Sequence, residues 1–156
     1  METNRTNEHN KNSGRNFNPI LKQEPKTDSF SDTEKKKELL FILEDDEKII
    51  KLYNRIFSDF SLIIATSIKE GEEKLSEIVS HGINLDIFIT DYYLPDGTSE
   101  KFVSKMRERF PKIRVILCSS DDSSESAIQP DAFLSKVKIF EIKSKIEQFF
   151  KDANKQ

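Results

Sequence analysis

Cysteine is almost missing: Cys118 stands alone among 156 residues, so no intramolecular disulfide can form and a reducing, cytoplasmic setting is expected. Histidine is nearly as scarce, and His9 and His81 share no spacing that would build a zinc site. Nor is there a surplus of positive charge. Lys and Arg total 25 against 28 Asp and Glu, a net charge of -3, which argues against a nucleic-acid partner. Long apolar runs are absent too; the longest, Leu39–Leu43, has five residues, against about twenty for a membrane span. No secretory h-region opens the chain, so a soluble protein without a membrane partner is expected. With 35% hydrophobic and 34% charged residues and a mean hydropathy of -0.62, the whole chain is too polar to pack as one globule. The length allows one domain with a tail and excludes two full catalytic domains.

What is present divides near position 38. Residues 1–37 carry 8 basic and 6 acidic residues, six asparagines before position 19, and scattered apolar positions with no period. Such a stretch buries too little apolar surface to offset its ordering entropy, and a disordered N-terminal arm is expected there. The Asn4-Arg5-Thr6 sequon is read as chance. A folded domain is expected over 38–152, with 153–156 as a short tail. The chain ends a few residues past the last predicted helix, so no output domain is expected to follow.

From Glu38 onward, short apolar runs alternate with amphipathic stretches, the pattern of a buried parallel sheet with helical crossovers. Leu39–Leu43, Leu62–Ala65, Ile87–Thr90, Ile113–Cys118 and Ala132–Leu134 read as five strands. Between them, Ile49, Tyr53, Ile56 and Phe60 recur at helical spacing, as do Leu75, Ile78 and Val79. Ser67 with Glu70 signals a capped helix start, and Gly82 its end. A Leu-Pro-Asp-Gly turn precedes a third helix bearing Phe102, Val103, Met106 and Phe110, stopped by Pro111. Ile139, Ile142, Ile146, Phe149 and Phe150 line the last. Only Ser120 to Asp131 is left for a fourth helix, which is predicted short or missing. The fold class is α/β, a doubly wound five-stranded parallel sheet.

In such sheets the loops at the strand carboxyl ends form the functional crevice. Those ends read Glu44-Asp45-Asp46, Asp91, Ser119-Ser120 and Ser135-Lys136. Converging carboxylates repel one another, and a divalent oxygen-seeking cation such as Mg2+ relieves the repulsion. A carboxylate flanked by that metal, an ammonium and a hydroxyl could attack a phosphoryl group, because all three neutralise charge on the transferred oxygens. Asp91 fits the nucleophile.

Across residues 38–152 this constellation resembles the receiver domain of two-component response regulators, the chemotaxis-regulator-like family with a flavodoxin-like fold. The resemblance implies a metal site on Glu44, Asp45 and Asp91, with Tyr93 lending its backbone carbonyl. It implies Asp91 as phosphoacceptor, in Asp91-Tyr92-Tyr93-Leu94-Pro95. The switch hydroxyl falls on Ser119 of Val115-Ile116-Leu117-Cys118-Ser119, the family lysine on Lys136 and the switch aromatic on Phe133. Tyr93 and Asp121 occupy the positions that tune loss of the phosphoryl group. Implied partners are a sensor histidine kinase or histidine phosphotransfer protein and an unidentified downstream protein. The implied activity is that of a phosphoacceptor switch rather than a conventional enzyme.

Two departures stand out. Val137 replaces the family's proline after the lysine, and 17 positions separate Ser119 from Lys136, fewer than the family usually has. Output through the first helix, the fifth helix or the arm is therefore expected. The competing reading is a receiver-like docking module independent of phosphorylation. A haloacid dehalogenase-type hydrolase, suggested by Asp96-Gly97-Thr98, is disfavoured because Leu94 stands where that family needs a second Asp. Blander roles also remain for single residues. Neighbouring acids can serve as helix-dipole partners, and Ser120 could replace Ser119 after a one-residue slip. Cys118 reads as a core residue and His81 as a helix-end residue.

Overall fold

The computed structural model describes residues 36–120 and 125–155. The stretch expected to be an arm lies outside them apart from residues 36 and 37, as does Asp121.

Five parallel strands, β1 (Leu39–Leu43), β2 (Ser61–Ala65), β3 (Ile87–Thr90), β6 (Arg114–Ser119) and β7 (Ala132–Ser135), form one sheet in the order β2-β1-β3-β6-β7. A separate two-stranded hairpin pairs β4 (Tyr93–Leu94) with β5 (Gly97–Thr98). The helices are α1 (Glu47–Ile56), α2 (Ile68–Ser80), α3 (Glu100–Arg109), the four-residue α4 (Glu125–Ile128) and α5 (Ile142–Ala153). The predicted doubly wound sheet and short fourth helix are both present.

The strands are apolar throughout because both faces are covered, yet their side chains still alternate. On one face Phe41, Leu43, Phe88, Val115 and Leu117 pack with Leu75 and Ile78 of α2 and Phe102, Val103 and Met106 of α3. Three rings, Phe41, Phe88 and Phe102, meet there at centroid distances of 5.5 to 5.8 Å. On the other face Leu40, Ile42, Ile87, Ile89, Ile116 and Cys118 pack with Tyr53 and Phe57, and with Ile139, Ile142 and Ile146. Each fully buried side chain of this size contributes about 1.5–3 kcal/mol.

Local signals set most boundaries. Ser67 Oγ accepts the Glu70 N–H at 3.1 Å, starting α2. Gly82, at φ +63°, ends it by letting Ile83 N–H reach the Ile78 carbonyl at 3.0 Å and Gly82 N–H the Val79 carbonyl at 3.1 Å. His81 is the C-cap of that helix. α3 stops at Arg109, just before Phe110 and Pro111.

Three elements differ from expectation. The Leu-Pro-Asp-Gly turn is the tip of the β4–β5 hairpin. Phe60 lies beyond α1, which ends at Ile56, although it still packs on Phe57 and Phe150. The last helical stretch begins as a 3-10 segment, Lys136–Glu141, kinked within by non-helical backbone at Lys138, and runs directly into α5 at Ile142.

β1 leads outward to β2, and the chain then returns to place β3 on the other side of β1. The loops after β1 and β3 therefore diverge, and a crevice opens between them.

Candidate functional site

Both loops at this switch point carry acids. Glu44 directly follows β1, and its N–H donates to the Ala65 carbonyl at 3.0 Å; Asp91 follows β3, with its N–H on the Leu43 carbonyl at 2.9 Å. Sheet hydrogen bonding thus runs one residue past each strand, so both acids are set by the sheet itself. Glu44 is 1% exposed and Asp91 8%, whereas Asp45 points outward. One oxygen from each of the three can lie within 4.8 Å of the others.

The neighbouring acids, alike in sequence, divide in space. Asp46 is the N-cap of α1 and accepts the Lys48 N–H at 2.8 Å, so the helix-partner reading holds for it. Glu44 continues into the crevice, where Oε1 accepts the Asp46 N–H at 3.0 Å.

Lys136 enters from the end of β7. Its Nζ lies 2.6 Å from Asp91 Oδ2 and 3.2 Å from Glu44 Oε1. Glu44 Oε2 is 3.1 Å from the same nitrogen but out of line for a hydrogen bond. The second Asp91 oxygen, Oδ1, accepts the Tyr92 N–H at 2.7 Å. Burial, the largest influence, raises the Glu44 pKa from its ordinary value despite the Asp46 N–H and the nearby ammonium. Burial opposes charge on Lys136 as well, but Asp91 and Glu44 outweigh it and the lysine pKa is raised.

Ser119 ends β6 beside Ser135 of β7 and is buried, while Ser120 is exposed just beyond it. Phe133 is half-buried against the α2–α3 core. Tyr93 opens β4 two residues past Asp91, with 57% of its surface exposed and its ring edge-on to Tyr92 at 4.7 Å. Asp121 falls outside the described residues. Cys118 is fully buried, its thiol pushed up to about 11 by burial, as a core cysteine should be.

Three features escaped the sequence reading. Asp96, at the hairpin tip, caps α2 by accepting the Ile68 N–H on Oδ1 at 2.9 Å and the Lys69 N–H on Oδ2 at 3.0 Å. Those two bonds lower its pKa and leave its carboxylate committed to the helix. Thr90 Oγ1 and Ser99 Oγ each donate to the Asp91 carbonyl at 2.7 Å. No local pattern marks contacts of this kind.

The residues present fit a metal. An acid only 1% exposed with one oxygen lacking a hydrogen bond, a second buried acid and an exposed third give an all-oxygen donor set. That set suits a hard divalent cation.

Residues 40–140 match the response regulator receiver domain. The chain belongs to that family. Receiver structures agree with the fold. A two-component response regulator from Clostridium difficile is 16% identical, with a TM-score of 0.64 over 76% of this chain and 99% of that one. The TrrA response regulator of Thermotoga maritima, in complex with Mg2+ and BeF, is 19% identical, with a TM-score of 0.60 over 72% and 98%. A two-component response regulator of Arabidopsis thaliana is 23% identical over 88 residues, 55% of this chain but 15% of that protein. The matched region is thus a small part of that plant relative. No helix among the described residues of this receiver is long and apolar enough to cross a membrane.

Proposed function

We propose that this receiver is a phosphoacceptor switch in a two-component phosphorelay, phosphorylated on Asp91 by a histidine kinase or histidine phosphotransfer protein in the presence of Mg2+. The observation that carries the reading is the Asp91 carboxylate, fixed through Oδ2 by Lys136 and through Oδ1 by the Tyr92 N–H. An Asp91 oxygen attacks the phosphorus of the donor phosphohistidine. The phosphorus–nitrogen bond breaks, its electron pair returns to the imidazole, and an aspartyl phosphate results. Lys136 neutralises charge on the transferred oxygens, and the Ser119 hydroxyl donates to one of them. Glu44, Asp45, Asp91 and the Tyr93 carbonyl would hold Mg2+, which supplies further charge neutralisation when bound. Phe133 reports the change to the surface, and output follows by protein binding or onward relay. Tyr93 and Asp121 set the rate at which water removes the phosphoryl group; Tyr93→Gly should speed that loss. The domain responsible is 38–152, flanked by an N-terminal arm and a short tail. Its setting is the cytoplasm, where a lone reduced thiol such as Cys118 is usual.

The test is intact mass after incubation with acetyl phosphate, with and without Mg2+, on the native chain and on Asp91→Asn. A phosphate adduct that needs both Mg2+ and Asp91 is expected. A second reading, a docking module that works without phosphorylation, is favoured by Val137 and Phe140, 86% and 71% exposed beside Lys136. No adduct, together with no Mg2+ binding, would select that reading.

A further inference from the structure

We infer that Ser99 and Thr90 are positioning residues for Asp91, acting through the peptide unit that joins Asp91 to Tyr92. The Asp91 carbonyl accepts the Ser99 hydroxyl and the Thr90 hydroxyl, each at 2.7 Å. Both donors are completely buried. A carbonyl oxygen has two lone pairs, and here both are engaged by side chains.

The peptide unit is planar, with its carbonyl and N–H on opposite edges. Holding the carbonyl inward therefore aims the Tyr92 N–H outward, and that N–H donates to Asp91 Oδ1 at 2.7 Å. With Lys136 on Oδ2, both carboxylate oxygens are directed, one of them by hydroxyls that never touch it.

Ser99 also gives up a more common role. It occupies the N-cap position of α3, where serine ordinarily accepts a backbone N–H of the first turn. Here its side chain makes no capping bond and its backbone is helical, so the hydroxyl is committed to Asp91 instead. Its own N–H donates to the Tyr92 carbonyl at 3.0 Å. Ser99 thereby closes the loop that contains the β4–β5 hairpin onto the peptide units on both sides of Tyr92.

The consequence for reactivity rests on Asp91 being the phosphoacceptor. A carboxylate held in its attacking orientation avoids the cost of finding it, a factor that shows in the maximal rate rather than in donor binding. The variants Ser99→Ala, Thr90→Val, which keeps the side-chain shape, and Thr90→Ser, which keeps the hydroxyl, separate hydrogen bonding from packing.

The experiment uses the full chain with two readouts. One is the NMR resonances of the Asp91 carbonyl carbon and the Tyr92 amide proton. The other is the rate of phosphoryl uptake over a series of acetyl phosphate concentrations. Ser99→Ala and Thr90→Val should each shift both resonances and lower the maximal rate about tenfold with half-saturation unchanged. Thr90→Ser should behave as the native chain. Unmoved resonances, native rates in both hydroxyl-deleting variants, or a Thr90→Ser loss equal to that of Thr90→Val would overturn the inference. If the native chain takes up no phosphoryl group, the functional reading fails. The resonances still decide the positioning role, shifted in its favour or unmoved against it.

Discussion

Between β3 and β6 the chain carries a hairpin and the ten-residue α3, which buries Phe102, Val103 and Met106. Between β6 and β7 it carries α4, a single turn. The strand pairing at the two connections is nonetheless alike, four residue pairs from β3 to β6 and four from β6 to β7. Directed hydrogen bonds tie down the connection around this short α4. Arg107, near the end of α3, donates to the Ile128 carbonyl at 2.9 Å and to the Gln129 carbonyl at 2.7 Å. These bonds hold the end of α4 where Gln129 turns at φ 51°. Asp131 accepts the Val115 N–H at 2.8 Å and returns its own N–H to the Val115 carbonyl at 2.8 Å. Strand register at the end of the sheet sets Ser119 opposite Ser135 and brings Lys136, the next residue, onto Asp91 and Glu44.

If burial holds the first connection, Phe102→Ala should cost about 3–5 kcal/mol in chemical denaturation, because it empties the three-ring cluster. A loss below 1 kcal/mol would put the anchor elsewhere. Lys136→Met acts at the outlet of the second connection. It should slow phosphoryl uptake about a hundredfold, the usual effect of deleting one charge-stabilising donor; near-native uptake would remove the lysine from the chemistry. Arg107→Met should cost about 1–2 kcal/mol, since two charge-assisted bonds are lost. Hydrogen exchange should quicken at the end of α4 and around Asp131, with uptake at Asp91 unchanged. Slower uptake would show that the clamp reaches the site.

The smallest effect is expected at Glu70. Its carboxylate pKa is lowered to about 2, first by the Lys74 ammonium and then by the Thr66 N–H. A folded-state pKa below the unfolded one stabilises the protein above the unfolded value of 4.5 and ceases to do so as pH falls through the folded value. With its side chain 35% exposed, the group contributes under about 1 kcal/mol after solvent screening. Glu70→Gln should therefore lower stability at pH 7 and match the native chain near pH 2.

Much of the fold is legible in the apolar runs, because buried parallel strands need continuous hydrophobicity and their boundaries carry local signals such as Ser67 and Gly82. The acids and Lys136 were legible as a set because each lies at a strand end. The division among Glu44, Asp45 and Asp46 was not, since it depends on which way each side chain leaves the strand. The hairpin was missed because two-residue strands have no detectable period. Asp96 reaches amides 27 and 28 positions away, and Arg107 reaches carbonyls 21 and 22 away. Contacts at such distances exist only after the chain has folded.

The most direct test of Asp91 as the phosphoacceptor is to treat the full chain with acetyl phosphate and Mg2+, reduce the product with borohydride and map the peptides by mass. An aspartyl phosphate is converted to homoserine, and the account predicts homoserine at position 91. Homoserine at position 45 or 96 instead, or at no position, would contradict it.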